Sequence, residues 1–421
     1  MQHNVNSLNI VLVNHYAGGL SFGMEFRPYY LAKEWIKKGH KVLIVGASFS
    51  HLRNEQPDVK KPIKRETIDG VDYLWLKTNK YSGNGFRRIL SMFFFTFRLY
   101  WQLSKVLKIF KPNLLIASST YPLDNFPIKW LALKFKAIYG YEVHDLWPLS
   151  PMELGGYSKF HPFIMVMQWA ENFAYRNADF VISILPHTLD HMVKHGLKPE
   201  KFKHVSNGIT FTEWDESQIP EEHIAIIEKI KLDNKIIVGY VGGHAISNAL
   251  DYLIEAAAIA QSNETNLHFV LVGNGNEKPK LVQNANRLKN VTFLPPVSKK
   301  FIPSLLGSMD ILYLGWHHNP LYRFGISPNK LMDYMMAAKP IVHSVSAGND
   351  LVMESNCGIS VNPENPQEIV AALKLISKMS VLERKQLGRN GKAFVERHHN
   401  YEKLAEDFIN FAAQKINQIY F

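Results

Sequence analysis

Along the first half of the chain, short apolar runs alternate with segments whose apolar residues recur at helical spacing. Residues 8–13 (LNIVLV), 41–45, 71–76, 113–117 and 180–184 read as buried strands, and 26–38 as an amphipathic helix ended by Gly39. Buried strands separated by helices are the pattern of a parallel sheet built from βαβ units. The pattern restarts at residues 235–241 (KIIVGYV) and continues through 267–272, 291–294, 311–314 and 340–343. Between the two sets, residues 210–234 lose the strand signal and turn acidic. The chain is therefore expected to be α/β, with two doubly wound, Rossmann-like domains at 1–209 and 235–399 and a linker at 210–234. The two domains are expected to face a central cleft with the C-terminal ends of their strands. The helical segment 400–421 has no strand after it and is free to pack across either domain.

Composition narrows the classes. The 421 residues, 46% hydrophobic and 20% charged, suit two or three ordinary globular domains. The single cysteine, Cys357, excludes an intramolecular disulfide framework and a cysteine-based zinc cluster, and fits a reducing compartment. Residues 1–9 are polar, so no signal peptide is expected, and no run approaches the ~18–20 apolar residues of a membrane span. The formal charge of +11 is uneven: residues 1–205 hold 27 basic and 15 acidic side chains, residues 206–421 hold 21 and 22. The excess belongs to the first half and points to an anionic partner: a membrane surface, a phosphorylated substrate or nucleic acid.

Three glycine-bearing turns follow strands. Gly18, Gly19 and Gly23 follow the first strand, Gly242 and Gly243 the strand at 235–241, and Gly273 and Gly275 the next. At such turns the backbone can approach a phosphate, and a following helix N-terminus adds partial positive charge. The first is not GxGxxG, so the dinucleotide fingerprint is absent. The segment 323–340 (RFGISPNKLMDYMMAAKP) begins a helix at Ser327-Pro328 and places Lys330 and Asp333 on one face of its first turns. An ammonium, a carboxylate and free N–H groups suit a nucleoside diphosphate; the same pair also suits a surface salt bridge.

These residues, with Tyr141-Glu-Val-His-Asp145, Ser206-Asn-Gly208 and Asn356-Cys-Gly-Ile-Ser360, resemble glycosyltransferase family 4 on a GT-B fold. The resemblance runs along essentially the whole chain. It is closest to bacterial O-antigen and capsule enzymes similar to N-acetyl-L-fucosamine transferases. It implies a retaining transfer from a UDP-sugar, an N-acetylated deoxyhexosamine being one such donor, to an undecaprenyl-diphosphate-linked glycan. It also implies a cytoplasmic, peripheral place on the inner membrane face. Donor contacts are implied at Gly18, Gly19, Gly242, Gly243, Gly275, Val297, Ser327, Asn329, Lys330 and Asp333. His144 matches the histidine facing the donor sugar, and Asp145 and Glu142 are reserve bases. Asp333 matches the second acid of the family's paired-acid motif, whereas the first falls at Gly325. The family's phosphate-binding Arg and Lys fall at Gly243 and Asn248. Lys330, Arg323 and Arg27 are therefore the candidate cations for phosphate or acceptor. No Asp-x-Asp occurs, so transfer is expected to need no metal and no cofactor besides the sugar nucleotide. A UDP-sugar 2-epimerase and a non-catalytic nucleotide-binding partner are the alternatives; nucleic acid is not expected, since no recognition motif occurs.

Residues 86–108 hold five basic side chains and no acidic one. A helical wheel puts Arg87, Arg98 and Lys105 together, with Ser91 and Gln102 nearby, while Phe94, Phe95 and Trp101 spill beyond a core stripe. Basic groups (Arg88 included) beside exposed aromatics suit an interfacial helix on anionic lipid. His187, His191 and His195 recur every four residues, as metal ligands can. With no accompanying carboxylate–histidine cluster or cysteine in sequence reach, they read as a solvated face, and no metal site is expected.

Overall fold

The computed structural model describes residues 7–83, 85–214 and 219–420. The chain forms two compact units: Met1–Asn207 with Tyr401–Phe421, and Gly208–Asn400.

The first unit carries β1 (Asn9–Val13), β2 (Lys41–Ala47), β3 (Ile63–Ile68), β4 (Val71–Leu76), β5 (Leu114–Ala117), β6 (Ile138–Val143), β7 (Phe180–Ser183) and β8 (Phe202–His204). They form one sheet in the order β3-β4-β2-β1-β5-β6-β7-β8, parallel throughout except for the β3–β4 hairpin. That hairpin turns at Asp69-Gly70, both at positive φ, as a two-residue turn of matching twist requires. Strand β3 (IKRETI) lies at an edge and is only half-buried, so its polar residues gave no strand signal. Strand β6 is wholly buried although it contains Gly140 and Glu142, which interrupt its apolar run.

The second unit carries β9 (Ile236–Val241), β10 (Leu267–Val272), β11 (Val291–Leu294), β12 (Ile311–Gly315), β13 (Ile341–Ser344) and β14 (Gly358–Val361). All are parallel, in the order β11-β10-β9-β12-β13-β14. This is the doubly wound order, and the first sheet without its hairpin follows the same rule. Strand order reverses at β1, between β2 and β5, and at β9, between β10 and β12. The loops leaving β1 and β9 are therefore the places where such sheets take ligands.

The helix Tyr401–Tyr420 packs on the first unit. Trp35 Nε1 donates to the Ala405 carbonyl at 2.9 Å, Tyr401 stacks on Tyr30, and buried Phe408 lies against Trp35 and Phe180. Within 210–234, a helix at Glu221–Leu232 buries His223, Ile227 and Ile230, so this part of the expected linker is a packed element of the second unit. Residues 215–218 lie outside the described residues.

The basic aromatic stretch is helical at Phe86–Arg98, passes through a π-helical turn at Leu99–Leu103, and continues as Ser104–Phe110. Phe95 is not a surplus aromatic: it is fully buried, its ring 4.7 Å from that of His15. Ser91 is likewise buried, not part of the polar face. The wider π turn also breaks the 100° per residue on which grouping Arg87 with Lys105 relied.

Candidate functional site

At the switch point of the second sheet, β9 ends in Tyr240-Val241-Gly242-Gly243. Tyr240 Oη donates to the Gly243 carbonyl at 2.7 Å, and Asn248 Nδ2 donates to the same oxygen at 2.9 Å. Lys330 enters from the helix Asn329–Met336. Its Nζ donates to Tyr240 Oη at 2.8 Å and to Asn248 Oδ1 at 2.7 Å, and lies 4.9 Å from the tyrosine ring centre. A Cβ on Gly242 would press the lysine stem at 2.9 Å, so this glycine gives Lys330 its path. The helix is fixed to β9 by Tyr334, whose hydroxyl accepts from the Val241 N–H at 2.8 Å.

The next loop packs backbone to backbone on the first. His244 N–H donates to the Asn274 carbonyl at 2.8 Å, and a Cβ on Gly273 or Gly275 would run into the carbonyls of Gly242 or His244. These glycines are thus needed for loop-on-loop contact. His244 is buried, neither of its ring nitrogens has a hydrogen-bond partner, and burial with nearby Lys278 and Lys330 pushes its pKa down to about 4. Nothing in the sequence pattern singled it out.

The electrostatics centre on Lys330. Among the described residues it has no carboxylate partner, and burial alone lowers its pKa from the ordinary value to about 8. A desolvated ammonium held by two neutral groups is a site for an anion. Asn248, where the resemblance places a phosphate-binding lysine, instead orients Lys330. Pro328 occupies the N-cap of the helix, which has no side-chain cap and no acidic residue in its first turn. Ser327, Asn329 and Asp333 are half-buried along this helix start, and Val297 sits in the loop after β11. Gly325 has φ +92°, which disfavours a side chain where the first motif acid is expected; Asn349 holds this loop through both the N–H and the carbonyl of Ile326. Arg323 is exposed, folded over the Phe324 ring at 4.4 Å.

In the first unit, the loop after β1 uses its glycines differently from expectation. The N–H groups of Gly18 and Gly19 donate to the carbonyls of Glu25 and Gly23, closing a turn within the loop. They are spent and offer no phosphate cradle. Arg27 is also not an open cation. It has no exposed surface, and its guanidinium donates to Glu142 Oε1 at 2.9 Å, the Val205 carbonyl at 2.9 Å and the Ser206 carbonyl. Its role is to position.

Glu142, on β6, passes that order on. Ser118 Oγ donates to Glu142 Oε2 at 2.6 Å, which uses its only proton. His144 Nε2 lies 2.9 Å from Ser118 Oγ and 3.2 Å from Glu142 Oε2, so Nε2–H donates to both. Burial works to raise the Glu142 pKa, but Arg27, His144 and Ser118 outweigh it and hold the carboxyl well below the usual range. Glu142 is therefore no base. Asp145 is half-buried, its pKa raised by desolvation, and its Oδ1 accepts from Ser150 Oγ at 2.6 Å and the Leu146 N–H at 2.9 Å. A cavity of about 390 Å³ opens beside it, lined by Arg88, Met92, Asp145, Trp147, Tyr157 and Phe163. Arg88 faces this cavity and the Tyr16 ring, 5.6 Å away, instead of continuing the outer basic face.

Removing one partner of a buried pair leaves an uncompensated charge, which costs about 3–5 kcal/mol. Glu142→Gln is expected to destabilise the protein by that order in urea unfolding, whereas Lys60→Gln, at the exposed Lys60–Asp58 ion pair, is expected to change it by less than about 1 kcal/mol.

Comparison with known proteins accords with this architecture. The model described as Glycosyltransferase Family 4 matches residues 23–213, and that described as Glycosyl transferases group 1 matches residues 235–378. An alpha-D-kanosaminyltransferase from Streptomyces kanamyceticus is 27% identical over 213 residues, 50% of this chain and 54% of that protein. The chain spans about half the length of the curated relatives it matches. Among solved structures, HepE of Anabaena in complex with UDP and glucose superimposes with TM-score 0.65 at 16% identity, covering 96% of this chain and 99% of that one. The sucrose-phosphate synthase of Thermosynechococcus elongatus gives TM-score 0.71 at 16% identity, covering 96% and 98%. With a family match on each of its two Rossmann-like units, and the GT-B fold in both, the chain belongs to glycosyltransferase family 4.

Proposed function

We propose that the protein transfers a sugar from a UDP-linked donor to a lipid-linked glycan acceptor in bacterial surface polysaccharide synthesis. The observation that carries the donor half is Lys330: a half-buried ammonium without a carboxylate partner among the described residues, at the switch point of the second sheet. It suits the diphosphate, where negative charge grows as the glycosidic bond breaks, and preorganised donors there lower the barrier. The UDP complex of the HepE structure supports a uridine nucleotide. Asp333 is assigned to the ribose, and His144 to the donor sugar. With Glu142 held ionised, the acceptor proton is assigned to a phosphate oxygen of the leaving group, with retention, and no metal enters the chemistry.

Acceptor docking is assigned to the first unit. Phe94, Phe97, Trp101 and Trp130 are 41–59% exposed, and the last three, with Lys105 and Lys108, flank a groove of about 650 Å³. Aromatic rings beside lysines suit the interface of an anionic leaflet. No helix among the described residues is long and apolar enough to cross a membrane.

Turnover of a UDP-sugar panel, with and without acceptor and after EDTA treatment, tests the reading. Release of UDP with transfer to a glycan is expected, unchanged by EDTA. A free 2-epimer without acceptor would indicate an epimerase, and binding without turnover a non-catalytic partner, which the residues at Gly243 and Gly325 favour.

The pH dependence of UDP binding follows from Lys330. Above pH about 8 the free protein loses the ammonium, so the Kd for UDP is expected to rise up to tenfold per pH unit there. Lys330→Met should abolish this slope and weaken binding at pH 7 by about 10–100-fold, the worth of one charge-assisted hydrogen bond. Calorimetric titration from pH 6.5 to 9.5 reads both.

Vesicle cosedimentation checks the surface. Binding to anionic vesicles is expected to exceed binding to neutral ones, and Trp101→Ala with Lys105→Ala should reduce it. Equal binding to both vesicle types would remove the electrostatic part.

A further inference from the structure

The histidine series at 187–195 acquires, in the fold, a carboxylate from a different helix. His191 and His195 lie on and just past the helix Leu189–Lys194, their rings 4.5 Å apart. The helix Pro162–Asn177 brings Glu171 beneath them, with 1% of its side chain exposed. His191 Nε2 lies 3.0 Å from Glu171 Oε1 and His195 Nδ1 4.0 Å from Glu171 Oε2. One ligand atom from each of the three residues lies within 4.8 Å of the others. His187 is exposed and outside the group.

We propose that Glu171, His191 and His195 bind one divalent transition-metal ion, zinc in the first instance, which clips these two helices of the first unit together. Two imidazoles and a carboxylate are a common zinc donor set, and ligand atoms about 2.0–2.1 Å from a tetrahedral ion stand ~3.3 Å apart. The three ligand atoms, within 4.8 Å of one another, reach this by side-chain movements in which the Gln168 amide, 2.9 Å from His195 Nδ1, turns away from that nitrogen. Asn172 Oδ1, 2.9 Å from His195 Nδ1, or water would complete the set. The carboxylate is already held by outer partners, as ligating carboxylates are: Tyr175 Oη donates to Oε1 at 3.2 Å and Gln168 Nε2 to Oε2 at 2.6 Å. Among the described residues this is the one group of three such side chains. The clip is separate from the transfer chemistry, so its test does not depend on the proposed donor or acceptor.

Full-length protein stripped with chelator is titrated with zinc by calorimetry and with cobalt(II) by visible absorption, with thermal melting in parallel. One equivalent is expected to bind, with a d–d band for cobalt that zinc displaces and a rise in melting temperature. His195→Ala and His191→Ala, at part-exposed positions, should each weaken binding about 100-fold or more and abolish the thermal shift. His187→Ala should leave both unchanged. Absence of stoichiometric binding would overturn the proposal, as would binding that survives His195→Ala and His191→Ala. Glu171 is buried, so Glu171→Gln is read only alongside its metal-free melting curve, and the two histidine variants decide.

Discussion

A guanidinium with no exposed surface orders the C-terminal edge of the first sheet. Arg27 opens the first helix, and its donors reach β6 through Glu142 and the strand-end carbonyls of Val205 and Ser206. A buried pair of this kind returns little net stability over an apolar substitute, because both charges are desolvated. What it supplies is position. Glu142 must stay ionised to compensate Arg27; an ionised Glu142 takes the Ser118 proton, and His144 is left to donate from Nε2. One electrostatic constraint thus sets the hydrogen-bonding state of the histidine assigned to the donor sugar.

The second unit handles charge in the opposite way. Met1–Asn207 with Tyr401–Phe421 holds 29 basic and 18 acidic side chains, whereas Gly208–Asn400 holds 19 of each. A neutral unit has no general field with which to attract a diphosphate. Its means is local: Lys330 is desolvated and given a tyrosine hydroxyl and an amide as partners instead of a carboxylate. Relative to the pattern that the resemblance implies, the proposed phosphate cation stands at the start of the Asn329–Met336 helix and not in the loop after β9, and Asn248, standing where a lysine is expected, accepts from it.

The buried strands and their restart were legible because parallel strands covered on both faces are continuous apolar runs, as β1, β5 and β10 are. Strands β3 and β6 were not. One is a half-exposed edge, and the other carries Glu142, whose burial makes sense only once Arg27, 115 positions away, is beside it. Likewise Lys330 could be singled out from its helix start, but not its want of a carboxylate. The spent amides of Gly18 and Gly19 and the closed role of Arg27 were illegible for the same reason: each depends on a partner that the fold brings in, not on local spacing. The histidines at 191 and 195 show the converse, since their periodicity was plain and Glu171 was not.

The charge of the first unit also changes meaning once side chains are placed. Arg27 and Arg53 are buried and committed to internal acceptors, so they add nothing to an outer field at short range. At about 0.1 M salt, exposed charges act over ~10 Å, so only cations beside a docking surface contribute to holding it. Lys105, Lys108 and Lys134 line the aromatic groove, and Lys134 lies over the Trp130 ring at 4.6 Å. At about 1 kcal/mol per lysine near an anionic leaflet, the proposed docking would draw about 3 kcal/mol from these three. That gives weak, reversible attachment unless Phe94, Phe97 and Trp101 also insert. The π turn at Leu99–Leu103 matters here, because it shifts Lys105 and Lys108 around the rod relative to Arg87 and Arg98. The aromatic and basic groups then share one groove instead of lying along a single stripe.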